Sequence, residues 1–339
     1  MFPISQKLIS WYSENKRELP WRNTKEPYLI WLSEIILQQT RVEQGLPYYL
    51  RFIEKFPDIF SLARADESEV LRYWQGLGYY SRARNLHHTA KSIVKEFNGK
   101  FPETFQGLLK LKGVGNYTAA AIASFCYLEK IAVVDGNVFR FLSRIYDIDI
   151  PINSSEGTKL FDKIANQLIP EKNPDIYNQS IMEFGATCCT PQKPNCDKCP
   201  FILECLAYKN NTVEIRPIKL KSKKRRDVYY IYFYPLNSDE IILQKINRKT
   251  IYQNMYEFPK LEFEVKEDFI QSLKKLKNVS EIIVHDLSHI RIHAVFTDSM
   301  KVIHKENAIK IPRNEINNYP LPRLITKYLE ISDYRKSNT

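Results

Sequence analysis

Over roughly the first 210 residues, apolar side chains recur at three- and four-residue spacing, the period of helices that bury one face. Residues 4–16 place Ile4, Leu8, Trp11 and Tyr12 together, and Leu19-Pro20-Trp21-Arg22 breaks that pattern. The next run, 26–40, has Pro27 suited to a first helical turn and is apolar nearly all round, which predicts a buried helix. Further helices are predicted over 43–54, 67–74, 79–97 and 104–111, with Gly76-Leu77-Gly78 and Phe101-Pro102 as breaks. Leu111-Lys112-Gly113-Val114-Gly115-Asn116-Tyr117-Thr118 then joins two helices, the second opening on the small residues Ala119, Ala120 and Ala121. Gly113 and Gly115 allow positive φ and close backbone approach. The amides that open the second helix point outward together as an anion-binding nest. Helices over 137–146, 156–168 and 174–187 complete an all-helical region.

Beyond residue 210 the pattern changes. Lys219-Leu220-Lys221-Ser222-Lys223-Lys224-Arg225-Arg226 carries six cations in eight residues and no acid, which suits a solvated linker or a DNA-facing arm. Strands are predicted at 228–234, 240–246, 281–287, 290–296 and 301–304, with helices at 266–276 and 321–331. The expected organisation is an all-α domain over 1–210, a basic linker over 211–226 and an α+β domain over 227–339.

At 339 residues the chain is long enough for two cores, and its net charge of +11 favours a polyanionic partner. No apolar run approaches a membrane span of ~18 residues, and the N-terminus lacks a secretory apolar core, so a cytoplasmic protein is expected. Five of the six cysteines lie between Cys188 and Cys205. Cys189-x6-Cys196-x2-Cys199-x5-Cys205 puts four thiolates on one loop, a metal site in a reducing compartment. Tetrahedral zinc also accepts four thiolates, although its sites usually pair two C-x2-C motifs. Cys188 and Cys126 read as ordinary core or near-core cysteines.

Glu34 is the sharpest single residue. Ile30, Trp31, Leu37 and Gln38 flank it at helical spacing, so burial should raise its pKa toward that of a general acid at neutral pH. The competing reading is a carboxylate reaching from a helix edge to an arginine. Asp135, eighteen residues past Tyr117, is the partner candidate; its competing reading is an N-cap for the helix that follows, a role Asn137 would also fill.

Several of these segments together resemble one family. Trp31-Leu32-Ser33-Glu34-Ile35-Ile36-Leu37-Gln38-Gln39-Thr40-Arg41-Val42 is similar to the catalytic-glutamate helix of the MutY-type adenine DNA glycosylases, relatives of endonuclease III in the helix-hairpin-helix base-excision superfamily. Gly76-Leu77-Gly78-Tyr79-Tyr80-Ser81-Arg82-Ala83-Arg84-Asn85-Leu86 resembles the strand-separating segment, and hairpin, aspartate and cysteine loop follow in family order. Met255-Tyr256-Glu257-Phe258-Pro259 and Asp286-Leu287-Ser288-His289 resemble, more loosely, the family's C-terminal Nudix-like domain; no glutamate-rich Nudix metal box is present, so lesion recognition is expected there.

The resemblance implies a helix-hairpin-helix glycosylase domain with a [4Fe–4S] cluster on Cys189, Cys196, Cys199 and Cys205 (loop 189–205), plus an α+β Nudix-like domain. It implies a monomer acting on double-stranded DNA that carries adenine opposite 8-oxoguanine or guanine. Glu34 would protonate the adenine and Asp135 would stabilise the oxocarbenium-like sugar, with Tyr117 and Asn137 orienting Asp135 and the sugar. Arg22 and Gln179 match adenine-pocket positions; Gln39 and Tyr79 would wedge beside the lesion pair. Thr40, Leu77, Ser288 and His289 would meet the damaged base, and Gly113 and Gly115 the DNA backbone. Lys112 stands where the family usually has proline, and Leu287 where it usually has phenylalanine. Endonuclease III has a lysine nucleophile where this chain has Tyr117, so no strong lyase activity is expected. The alternatives are an endonuclease III-like glycosylase/lyase acting on oxidised pyrimidines, or a non-catalytic helix-hairpin-helix DNA-binding protein.

Overall fold

The computed structural model describes residues 3–221, 224–235, 238–299 and 308–337. The chain groups into two compact units that are not consecutive stretches: Met1–Ala63 with His88–Lys221, and Arg64–His87 with Ser222–Thr339. Sequence periodicity draws its boundary near 210 and sees no difference between 64–87 and the helices around it. The structure groups that segment with the C-terminal part through tertiary contacts.

The helices are α1 (Ile4–Asn15), α2 (Pro27–Ile36), α3 (Val42–Lys55), α4 (Ile59–Arg64), α5 (Glu67–Trp74), α6 (Ser81–Phe97) and α7 (Phe105–Leu108). After them come α8 (Asn116–Tyr127), α9 (Gly136–Ile145), α10 (Ser155–Leu168), α11 (Pro174–Thr187) and the short α12 (Leu206–Lys209). The first unit packs α2 on α8 and α11 on α1, α8 and α9. Its core centres on Leu8, Phe141, Phe161, Phe184 and Phe201, with Phe184 meeting Trp11, Phe141 and Phe201 edge-on at 4.9–5.3 Å. Edge-to-face contact is the arrangement aromatic quadrupoles prefer.

Helix α2 stops at Ile36, short of the expected Thr40. Leu37 forms its C-cap, the Gln38 amide bonds Thr118 Oγ1 at 3.1 Å, and Gln39 turns left-handed at φ +56°. In the hairpin the two glycines divide their work. Gly113 sits at φ +77°, which only glycine adopts freely, whereas Gly115 is extended at φ −91° and corrects the expectation of positive φ there. A Cβ on Gly115 would meet nothing within 4 Å. Any requirement for glycine at that position therefore comes from outside the chain. Gly115 N-caps α8 with no side-chain cap bond, leaving the first helical amides open.

In the second unit, β1 (Arg226–Phe233), β4 (Lys260–Phe263), β5 (Ile283–Asp286) and β6 (Ile290–Thr297) form a sheet in the order β4-β1-β6-β5, with β1 and β6 parallel. Three more strands, β2 (Glu240–Lys245), β3 (Tyr256–Glu257) and β7 (Ala308–Pro312), pair in the order β3-β2-β7. The four-stranded sheet is covered on both faces, because successive side chains alternate sides. Tyr232 and Phe296 belong to the cluster with Tyr328 of α14 (Arg323–Ser337), Phe296 and Tyr328 stacking at 3.7 Å. Ile231, Phe233 and Val295 pack with Phe269 of α13 (Lys266–Leu273). The short strands β3, β4 and β7 were not foreseen, and the expected strand at 301–304 lies outside the described residues.

Candidate active site

Glu34 lies on α2, where every residue from Ile30 to Ile36 is buried, and is itself 6% exposed. Burial drives its carboxyl pKa up to about 7; a hydrogen bond from Tyr117 opposes this, nearby Asp135 adds to it, and Arg22 opposes it. Tyr117, in the first turn of α8, donates its hydroxyl to Glu34 Oε2 at 2.6 Å. The expectation that Tyr117 orients Asp135 is therefore corrected: its hydroxyl is committed to the acid.

Asp135 is the N-cap of α9. Its Oδ1 accepts from the Asn137 and Val138 amides at 2.9 and 2.8 Å, and its Oδ2 accepts from Asn137 Nδ2 at 2.6 Å. The competing reading of Asp135 as a helix cap is thus what the structure displays, with three N–H donors on its carboxylate. Burial raises its pKa, while the Val138 and Asn137 hydrogen bonds and the Arg140 charge oppose the rise and favour the anion.

Glu34 opens onto a cavity of about 370 Å³ whose lining includes Trp21, Arg22, Ser33, Asp175 and Gln179. That volume lies within the range of small-molecule pockets, about 300–1,000 Å³. Asp135, Tyr117 and Asn137 are not in its lining. Gln179 Oε1 accepts from Tyr12 Oη at 3.0 Å. Arg22 Nη2 binds Glu183 Oε2 at 2.6 Å, and Arg17 grips the same carboxylate through Nε and Nη2, both at 2.8 Å. Burial works against the Glu183 charge, but these two arginines override it and hold the pKa down at about 2.

Sequence reading missed Glu183, and it missed Arg140. Arg140 is buried; it donates to Asn137 Oδ1 at 2.8 Å and to the Cys189 carbonyl at 2.6 Å. It thereby fixes which end of the Asn137 amide faces Asp135. Gly185 on α11 permits the close approach, since a Cβ there would stand 2.6 Å from Asn137 Cβ. Two arginines four apart among Val138, Phe139, Phe141, Leu142 and Ile145, namely Arg140 and Arg144, were the available signal.

Cys189, Cys196, Cys199 and Cys205 line one small cavity together with Cys188 and the buried Arg144. Arg144 Nη1 donates to Cys189 Sγ at 3.4 Å, and the Phe201 amide donates to Cys199 Sγ at 3.4 Å. A four-iron cluster takes one thiolate per iron, so its ligands stand apart around a cavity. The thiol donors and their N–H partners fit that group. Cys188, expected to be a plain core residue, is buried and also lines the cavity.

In the second unit Leu77, Tyr79, Ser288 and Arg323 share the lining of a cavity of about 180 Å³. Ser288 and His289 form the exposed turn between β5 and β6, with Ser288 Oγ 3.2 Å from His289 Nδ1. His289 is not in that lining. Tyr79 is half-exposed at φ +49°, and exposed Gln39 of the first unit shares the left-handed conformation. Non-glycine residues held there carry strain of a kind that clusters at functional sites. Thr40, also in the first unit, is half-buried.

Residues 32–167 match the HhH-GPD superfamily base excision DNA repair protein family, and residues 231–331 match the NUDIX domain family. An adenine DNA glycosylase of Buchnera aphidicola subsp. Schizaphis graminum (strain Sg) is 33% identical, the alignment covering 98% of this chain and 99% of that one. The chain belongs to the adenine DNA glycosylase family. A Homo sapiens adenine DNA glycosylase is 43% identical over 59% of this chain and 38% of its own length. Among solved structures, a thermostable thymine-DNA glycosylase aligns with a TM-score of 0.57 at 28% identity, over 61% of this chain and 95% of that one. An endonuclease III–DNA complex aligns at 0.53 with 22% identity, over 61% of this chain and 94% of that one, and shares the fold.

Family membership leaves open how Tyr117 acts, and its bond to Glu34 yields a test. Tyr117→Phe removes a donor that favours the ionised acid, so the Glu34 pKa should rise. The alkaline limb of the rate profile then moves to higher pH; an unmoved limb would mean that the hydroxyl serves another group.

Proposed function

We propose that the protein is a monomeric, monofunctional glycosylase that hydrolyses the N-glycosidic bond of adenine opposite 8-oxoguanine or guanine in duplex DNA. The observation that carries this reading is the pair of carboxyl groups in contrasting surroundings: Glu34 buried and raised to about 7, Asp135 held by three N–H donors. Burial pushes both carboxyls up, but three N–H donors oppose the rise at Asp135 against one hydroxyl at Glu34, and unequal surroundings of this kind assign acid and base roles. The base must leave the stack to reach such a site. Glu34 then delivers a proton to the five-membered ring of the extruded adenine, which departs neutral. Asp135, as the anion, stabilises the positively charged sugar, and water completes the hydrolysis. Arg22 and Gln179 hold the adenine from the wall of the cavity beside Glu34. No lysine stands at Tyr117, so strand nicking needs a separate lyase.

The open amides at the start of α8, with Gly113 and Gly115, suit a DNA phosphate, and Gln39 and Tyr79 suit insertion beside the lesion pair. Cys189, Cys196, Cys199 and Cys205 would hold a [4Fe–4S] cluster, which when bound ties the loop into a rigid element. The expected setting is the cytoplasm. Cleavage of duplexes carrying A opposite 8-oxoguanine, A opposite G, A opposite T, and thymine glycol tests the whole reading; release of thymine glycol in preference to adenine would overturn it.

Discrimination between 8-oxoguanine and guanine needs a group that senses the changed donors of the opposite base. Ser288, sharing a cavity lining with Leu77 and Tyr79, supplies a hydroxyl, and His289 beside it an imidazole; Thr40 is the candidate from the first unit. Ser288→Ala with His289→Ala should cut the preference by one or two hydrogen bonds, about 0.5–1.5 kcal/mol each. The measurement is the ratio of single-turnover rates on the two mispairs, and an unchanged ratio removes the turn from recognition.

A further inference from the structure

A cubane cluster takes four thiolates, yet five cysteines line this cavity. Cys188 and Cys189 leave the end of α11 side by side, and both amides donate to the Phe184 carbonyl, at 3.0 and 2.9 Å. One turn of backbone therefore presents both thiols to the same space. Their surroundings differ. Cys189 is half-buried, and its sulfur accepts from Arg144 at 3.4 Å. Cys188 is buried and lines the same cavity as Cys199, a residue of the four-thiolate set. The Arg144 guanidinium, anchored on the Thr190 and Pro191 carbonyls at 2.7 and 3.3 Å, holds the loop after Cys189 and sits beside any thiolate in the cavity.

We propose that Cys188 is a fifth, exchangeable thiolate of the cluster site, able to take the iron that Cys189 holds; this rests on the cluster reading above. The exchange is a ligand substitution. The Fe–S bond to Cys189 breaks and one to Cys188 forms, Cys188 gives up its proton, Cys189 takes one up, and no electron moves. Its value lies in repair. Should Cys189 be lost to oxidation or alkylation, its neighbour keeps the loop closed.

The competing account is that Cys188 only fills the core beside Phe184 and Phe201, which an apolar residue of similar size would do as well. Full-length wild type, C188V, C189S, the C188V/C189S double variant and C196S separate the two when purified anaerobically. Iron and acid-labile sulfide per chain and the visible charge-transfer absorption are measured on each. Exchange predicts that C189S keeps close to the wild-type iron ratio while the double variant and C196S lose it. Alkylation followed by mass mapping should then find Cys188 protected in C189S and exposed once the iron is chelated. If C189S is as empty as the double variant, or misfolds as it does, the exchange is refuted. Equal iron in C189S and the double variant refutes it as well. A wild type without iron would instead refute the cluster itself.

Discussion

Substituting glutamine for Glu34 should slow adenine release by at least ~10²–10⁴-fold, the usual contribution of a general acid. The same change should make the protein more stable at alkaline pH. Both effects have one cause, the burial of an ionisable group beside a single hydroxyl donor. The Glu34 pKa is raised from 4.5 to about 7 in the folded chain. Below pH 4.5 the carboxyl is protonated in folded and unfolded chains alike, and stability is unaffected. Between 4.5 and about 7 the unfolded chain binds fewer protons, so stability falls as pH rises. Above about 7 the folded chain carries a buried anion at a cost on the order of 3 kcal/mol, at 1.36 kcal/mol per pKa unit. Glutamine cannot ionise and still accepts from Tyr117, so the variant escapes that cost. Denaturant unfolding at pH 4 and pH 8 should show a gain only at the higher pH, and wild-type catalysis should fade as pH rises through about 7. A variant that keeps wild-type turnover, or whose stability gain is the same at both pH values, would show that Glu34 is not a buried neutral acid.

What made Glu34 legible was local: an acid with apolar neighbours three and four residues away on a predicted helix. Asp135 was legible through order along the chain, after a glycine turn and a short apolar run. Their shared environment was not. Tyr117 and Glu34 are 83 residues apart, and only the packing of α2 on α8 brings hydroxyl to carboxylate. Charged residues inside the fold were the main omission. Glu183 and Arg140 look like ordinary surface charges in the sequence, because burial of a paired charge leaves no periodic trace. The segment 64–87 has the same helical period as its flanks, so nothing local marks its grouping with the C-terminal unit. Contacts made after the chain turns back do that: Arg84 donates to the carbonyls of Ile251 and Gln253, Asn254 to Glu67, and the Leu321 amide to Gln75 Oε1. Strands β3 and β4 escaped because two to four residues are too few to display an alternation.

Asparagine at position 135 separates capping from chemistry more sharply than any other change at this site. An amide oxygen can accept from the Asn137 and Val138 amides as Oδ1 does, so the N-terminus of α9 stays capped. On the other side, however, the carboxylate Oδ2 now accepts from Asn137 Nδ2 at 2.6 Å, and the new NH₂ group would face a donor. Asn137 cannot turn its amide over without loss, because Arg140 donates to its Oδ1 at 2.8 Å. One donor is left unmet, at a cost of about 1–3 kcal/mol, which a chain with an otherwise intact core tolerates. The larger consequence is electrostatic. The anion that would face the developing sugar cation is gone, and losses of ~10²–10³-fold follow from removing a single preorganised electrostatic partner in an active site. Asp135→Asn should therefore stay folded, bind duplex DNA near wild-type strength and release adenine at least ~10²-fold more slowly under single-turnover conditions. If release were unimpaired while the melting temperature fell by the cost of the unmet donor, Asp135 would be a helix cap and nothing more, and the charge on the sugar would have to be met by another group.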